Sequence, residues 1–341
     1  MAQTSRYVHI VDEVPELEGH EPVLVLVLHG FLDAGNAAIL AADHLETLGG
    51  GKVVATFDVD EFYDYRARRP AMSFVRDHYE AYDAPRMTVR LMRDQQEAPY
   101  LLLRGPEPDM RWEGFAKAVR DVVRRFAVDK VVTLAGVPMA VPHTRPIAVT
   151  PHASDPDLIE GASRWQGELR IPSSAQSLLE VRLGEWGFRS LGFVAHVPHY
   201  IAQLNFPRAA ITLLDEAERA TSLSLDSGAL AEDAEKTESE IAGYLETNDE
   251  VRQVVAGLEQ QYDSFQEAED SGTSLLARDQ PLPTGEEIGA QFEQFLAGLD
   301  TPDAPERPEQ PDQPDQPESP QPPEQPGAPD QSEGPGRSDD A

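Results

Sequence analysis

The chain has 341 residues, 40% of them hydrophobic, and carries 61 acidic against 28 basic side chains for a net charge of −33. That is enough apolar material for a sizeable core, while the lack of cysteine excludes disulfides, thiolate metal sites and thiol nucleophiles. Nucleic-acid binding is not expected, because no basic stripe is present to displace phosphate counterions.

The charge is uneven. Residues 1–208 hold 28 acidic and 22 basic side chains, residues 209–300 hold 22 and 4, and residues 301–341 hold 11 and 2. The amino-terminal body is close to balance, so any partner of the rear half should be basic or apolar. The start, MAQTSRYVHIVDEVPELEG, lacks the charged lead and apolar core of a signal peptide. No apolar segment approaches the roughly 18 residues of a membrane span, and a cytoplasmic protein is expected.

A short entry strand is read near residues 7–11. Six consecutive Val and Leu residues follow at 23–28, with no polar alternation, as suits a strand covered on both faces of a parallel sheet. His29 and Gly30 end that run. Gly30, Asp33 and Gly35 mark the turn, Asp33 or Asn36 can cap the next helix, and Ala37, Ala38, Leu40, Ala41 and Leu45 form its packing face. Lys52–Phe57 (KVVATF) completes a βαβ unit and runs into DVDEFYDYRARRP, where Asp58, Asp60, Glu61, Asp64, Arg66, Arg68 and Arg69 crowd one loop with Tyr63 and Tyr65.

Residues 86–93 (RMTVRLMR) alternate and 100–104 (YLLLR) follow, which predicts a hairpin with its first strand half exposed. Beyond the turn at Glu107, apolar residues from Trp112 to Phe126 recur at helical spacing and lead to a buried strand at 131–134 (VVTL). That strand opens into VPMAVPHTRP, a proline-fixed loop carrying His143, Thr144 and Arg145. A strand at 147–150, a helix at 175–186 and a strand at 190–195 (SLGFVA) come next, the last ending in His196-Val-Pro-His199-Tyr200. His29, His143 and His196 or His199 thus stand at strand ends, and parallel strands share one edge, so these loops are candidates to converge.

From Pro207 the pattern is helical, with apolar faces at 211–217, 230–245 and 251–265 and a capping box expected at Thr247-x-x-Glu250. A further helix over 288–299 is expected behind Thr284-x-x-Glu287. Beyond residue 300 the Pro/Gln/acid composition has little to bury and predicts disorder. Three parts are therefore expected: an α/β core over 1–208, an acidic helical region over 209–300 packing on the core or on a neighbouring subunit, and a disordered tail over 301–341.

No Gly-x-Ser-x-Gly elbow accompanies the hydrolase-like VLVLHGF strand. Neither a Walker A sequence nor Gly-x-Gly-x-x-Gly is present. His196-x-x-His199 lacks an adjacent Glu or Cys, so no metal is expected. The candidates for binding a nucleotide- or nucleoside-sized ligand at the strand ends are Asp33, Asn36, Asp64, Arg66, Arg69, Glu107, His143, Thr144, Arg145 and His199, since Asp and Arg there suit sugar hydroxyls and phosphates. A purely structural polar cluster is the competing reading.

Five motifs in order resemble the proteasome assembly chaperone two family, in its actinobacterial branch, over about residues 8–300. They are Gly30-Phe31-Leu32-Asp33-Ala34-Gly35, Asp64-Tyr65-Arg66-x-x-Arg69-Pro70, Leu103-Arg104-Gly105-Pro106-Glu107-Pro108-Asp109 before Trp112, Gly136-Val-Pro-Met-Ala-Val-Pro-His143-Thr144-Arg145-Pro146, and His196-Val-Pro-His199-Tyr200. The resemblance implies a three-layer α/β/α sandwich with a mostly parallel, phosphorylase-like central sheet and no established catalytic residues, while the apolar faces after Pro207 predict a C-terminal helical hairpin and no cofactor is expected. It also implies a homo-oligomer, a trimer, with proteasome subunits as partners. Related groups have been labelled ATP-grasp ligases, so a small-ligand protein or enzyme of that type is the alternative. Archaeal relatives dock through a terminal hydrophobic-Tyr-any residue tail, whereas this sequence ends Ser338-Asp339-Asp340-Ala341.

Overall fold

A computed structural model describes residues 6–30, 32–49, 51–159 and 168–270. The strands are β1 (Val8–Ile10), β2 (Leu24–His29), β3 (Lys52–Phe57), β4 (Ser73–Val75), β5 (His78–Glu80), β6 (Thr88–Arg93), β7 (Pro99–Pro106), β8 (Lys130–Met139), β9 (Val149–Ala153) and β10 (Arg189–Pro198). The helices are α1 (Ala37–Gly49), α2 (Trp112–Arg125), α3 (Ala175–Glu185), α4 (Pro207–Thr221), α5 (Gly228–Thr247) and α6 (Asp249–Asp270). The helix expected over 288–299 and the tail beyond 300 lie outside the described residues.

Eight strands form one sheet in the order β1-β3-β6-β7-β2-β8-β10-β9. β7, β2, β8 and β10 are mutually parallel. β6 is antiparallel to β7 and β3 to β6, so β3 points with the central four and five of the eight strands run one way. The uninterrupted apolar run of β2 is explained by its place between β7 and β8, because its alternate side chains meet two different cores. Val25 and Val27 face α1 and α4, through Ala38, Ala41, Ala42 and Leu45 on one helix and Ala210, Leu213 and Leu214 on the other. Leu24 and Leu26 face α2 and α3, through Phe115, Val119, Val122, Leu179 and Leu183. Three layers result. Small residues on α1 let it approach the sheet and α4 closely, as the alanine pattern anticipated.

Local differences from the sequence reading have physical causes. The strand expected at 147–150 forms at Val149–Ala153, because its antiparallel register to β10 sets Ala153 opposite Leu191 and Val149 opposite Ala195. No capping box forms at Thr247 and Glu250. Thr247 is still helical and its hydroxyl donates to the Tyr244 carbonyl. Extended Asn248 takes the junction, and its carbonyl accepts from Arg252 N–H. The sequence reading also missed the β4–β5 hairpin, in which Phe74 pairs with Tyr79 across a two-residue turn.

Candidate functional site

The C-terminal edge of the parallel strands carries the predicted residues, and the structure sorts them into three groups. Asp33 and Asn36 belong to the β2–α1 turn. The Asp33 carboxylate accepts from the N–H groups of Ala38 and Ile39, both at 2.9 Å, and so fills the open first turn of α1. Burial pushes its pKa up, while these bonds and others from Gly136 and Ala37 pull it back. Asp33 also bridges to Gly136 on β8, where a side chain would lie 2.4 Å from the Ala34 carbonyl oxygen. Asn36 donates to Asn205 at 2.7 Å, beside a backbone bond from Gly35 to Ala202. These two side chains stitch the turn to the segment entering α4.

His143, Thr144, Arg145 and His199 form the second group, gathered around Tyr200. The Tyr200 hydroxyl accepts from the His143 backbone N–H at 2.8 Å and lies 2.6 Å from His143 Nδ1. Burial lowers the His143 pKa and pushes Tyr200 up to about 12, so a neutral imidazole accepts from a neutral phenol. His199 Nδ1 lies 3.3 Å from the Met139 carbonyl, and its ring meets Tyr200 edge-on. α6 closes over this loop. Arg145 forms a two-pronged pair with Asp263 at 2.8 and 2.7 Å and reaches Glu259 at 3.3 Å, Thr144 donates to Glu259, and the Tyr262 hydroxyl meets the Pro146 carbonyl. The guanidinium expected to meet an anionic ligand is thus satisfied by carboxylates of the same chain.

The third group is organised by Arg68, which the sequence places in the crowded loop but which is not among the ligand candidates drawn from it. Arg68 Nη2 donates to the Glu107 carbonyl at 2.6 Å and to Asp109 at 2.7 Å, and its guanidinium lies over the Tyr63 ring. Asp64 closes its own turn by accepting from Arg66 N–H at 2.8 Å, while its backbone N–H donates to Asp109. Glu107 accepts from Ala175 N–H at 2.7 Å, at the start of α3. Arg66 and Arg69 point to solvent. Arginine density announced the loop, but only the turn set by Asp64 decides which arginine faces inward.

His29 joins none of these. Its Nε2 lies 3.2 Å from Arg104 Nη2, and Arg104 also binds Asp43 at 2.5 Å and Glu46 at 2.6 Å on α1. His196 Nε2 lies 2.8 Å from the Thr150 hydroxyl. Among the described residues no group of three or more His, Asp or Glu side chains is placed to hold a metal ion, and no helix is long and apolar enough to cross a membrane.

Comparison with known proteins decides the family. The model of the PAC2 family matches residues 27–244. The chain belongs to the PAC2 family. Among solved structures it is similar to the Mycobacterium tuberculosis protein Rv2714, of unknown function, with 42% identity over 78% of this chain and 92% of that one and a TM-score of 0.74. A Corynebacterium glutamicum protein of unknown function is 35% identical over 77% and 98% of the two chains, with a TM-score of 0.72. The Mycobacterium tuberculosis proteasome-assembly chaperone homologue Rv2125 is 28% identical over 68% and 99%, with a TM-score of 0.62. No match is found among curated proteins. The PAC2 match runs from the second half of β2 through most of α5, and so takes in the predicted residues of all three groups at the sheet edge.

Proposed function

We propose that this PAC2 protein is a chaperone-like, non-enzymatic scaffold that works in the cytoplasm as a homo-oligomer, a trimer, and engages proteasome subunits. Family membership and the 28% identity to a proteasome-assembly chaperone homologue support the chaperone reading. The observation that carries it is the exposure of the β4–β5 hairpin. Tyr79 is 73% and Phe74 60% exposed, with Met72, Val75 and Tyr82 also open to solvent. A two-stranded hairpin is marginal on its own in water, and a run of exposed aromatic and aliphatic side chains is the kind of surface proteins use to meet other chains. A second copy is the occupant that closed symmetry favours. The strand-end groups support the non-enzymatic part, since Asp33, Arg145 and Glu107 each hold one piece of the fold to another.

Two measurements test the reading together. Light scattering of the purified chain at micromolar concentration should give a multiple of the 37.5 kDa chain mass, and Phe74→Asp with Tyr79→Asp should return it to one chain. The protein mixed with proteasome α subunits, precursor rings and an unrelated basic protein should co-elute only with the proteasome species. A monomeric wild type, or equal retention of every protein offered, would sink the proposal.

A further inference from the structure

On the α1 side of the sheet the helical layer stops short. α1 and α4 cover β2, β8 and β10, but Val53 and Thr56 on β3 are exposed, and Thr88 and Arg90 on β6 are only half buried. A cleft of about 580 Å³ opens there, bounded by β3, β6, β7, the loop through Tyr63 and Arg68, and the segment from Asp83 to Arg86. That segment is also a wall of a second cavity of about 810 Å³, and the two share Val53, Ala84, Pro85, Arg86 and Thr88. Both volumes are those of small-molecule sites.

Four arginines line the cleft, an unexpected concentration in a chain of net charge −33. Arg68, Arg86, Arg90 and Arg104 face Glu46 and Asp83 as the only lining carboxylates. Glu46 is shared, binding Arg104 at 2.6 Å and Arg90 at 3.2 Å. Arg104 is further held by Asp43, and Arg68 by Asp109. Arg90 Nη1 donates to the Gly51 carbonyl. These three guanidinium groups are fixed in place. Arg86 is exposed and makes no ion pair or hydrogen bond among the described residues. Beside Arg104, His29 is kept neutral by burial and by that arginine's charge, so its Nε2 accepts and its Nδ1–H remains a donor.

We propose that this cleft binds a small phosphate-bearing molecule, with Arg86 closing on the phosphate and Arg90 and Arg68 flanking it. The arginines come from three separate parts of the cleft wall, the loop through Tyr63, the segment before β6 and β6 itself, and several guanidinium groups around one cleft suit a tetrahedral dianion, whereas a planar carboxylate is satisfied by a single guanidinium fork. Tyr63, Pro70, Pro85 and Val53 supply apolar wall for the organic part. The residues differ from those at the Tyr200 cluster, and the inference is independent of the chaperone reading.

Isothermal titration of the full chain with pyrophosphate, phenyl phosphate and citrate, at ionic strength held constant with sodium chloride, tests this. Saturable binding of one phosphate compound per chain is expected, weakened at least about tenfold in Arg86→Ala, since a hydrogen bond to a charged group is worth that much. Arg86→Lys should fall between the two, and Arg219→Ala, on the exposed face of α4 and away from the cleft, should bind as the wild type does. Absence of saturable binding by either phosphate compound, unchanged affinity in Arg86→Ala, or equally tight citrate binding would each overturn the proposal.

Discussion

The two cationic regions at the strand ends differ in what neutralises them. Around Tyr200, Arg145 is paired with Asp263 and Glu259 from a helix more than a hundred residues away, and the loop beneath is closed. On the α1 side of the β3–β6 edge no helix among the described residues covers the sheet, Arg90 and Arg104 share one glutamate, and Arg86 is left to solvent. Charge at a strand end is therefore no sign of a site by itself. What matters is whether another part of the fold has already supplied the counter-charge.

The contrast can be broken from its closed side first. Gly136→Ala should have the largest effect, because the new methyl meets the Ala34 carbonyl, a backbone atom that cannot swing aside. Urea denaturation should show a loss of about 3 kcal/mol, at the upper end of overpacking costs. Tyr200→Phe removes the hydroxyl that serves two nitrogens of nearly buried His143. A loss of about 2 kcal/mol is expected from the orphaned donor, again by denaturation. Stability equal to wild type in this variant would mean that the cluster is held by packing and not by its hydrogen bonds.

The α6 clamp should respond to charge and to pH. Hydrogen bonding from Arg145, and then its positive charge, hold the Asp263 pKa below the ordinary aspartate value. A carboxylate lowered in the folded state contributes stability that is complete above its unfolded pKa and is lost as pH falls through the folded one. The Asp263 carboxyl signal should therefore titrate below the usual aspartate range by NMR, and Arg145→Ala should return it there. At neutral pH the same variant should speed amide exchange in α6 while leaving β2 unchanged. The smallest effect belongs to the open side: Arg86→Ala should alter stability by less than about 0.5 kcal/mol, as expected for a surface residue without partners. A larger loss would show that Arg86 is part of the fold, and the two regions would then be alike.

Elements with local signals are legible in the residues alone. β2 and α1 follow from an unbroken Val/Leu run, a capping Asp33 and an alanine face; β6 and β7 follow from alternation and then a continuous apolar strand; α2 follows from its apolar period. Asp33 could be read as a cap because its partners lie five and six residues away. Long-range packing sets the rest: Arg145 meets α6, Arg68 turns inward while Arg66 and Arg69 do not, and Arg104 binds α1. Each of those pairings joins residues roughly 40 to 120 positions apart. Side-chain charge is screened beyond about 8–10 Å at physiological salt, so its partner is set by strand order and helix placement, which no local pattern encodes.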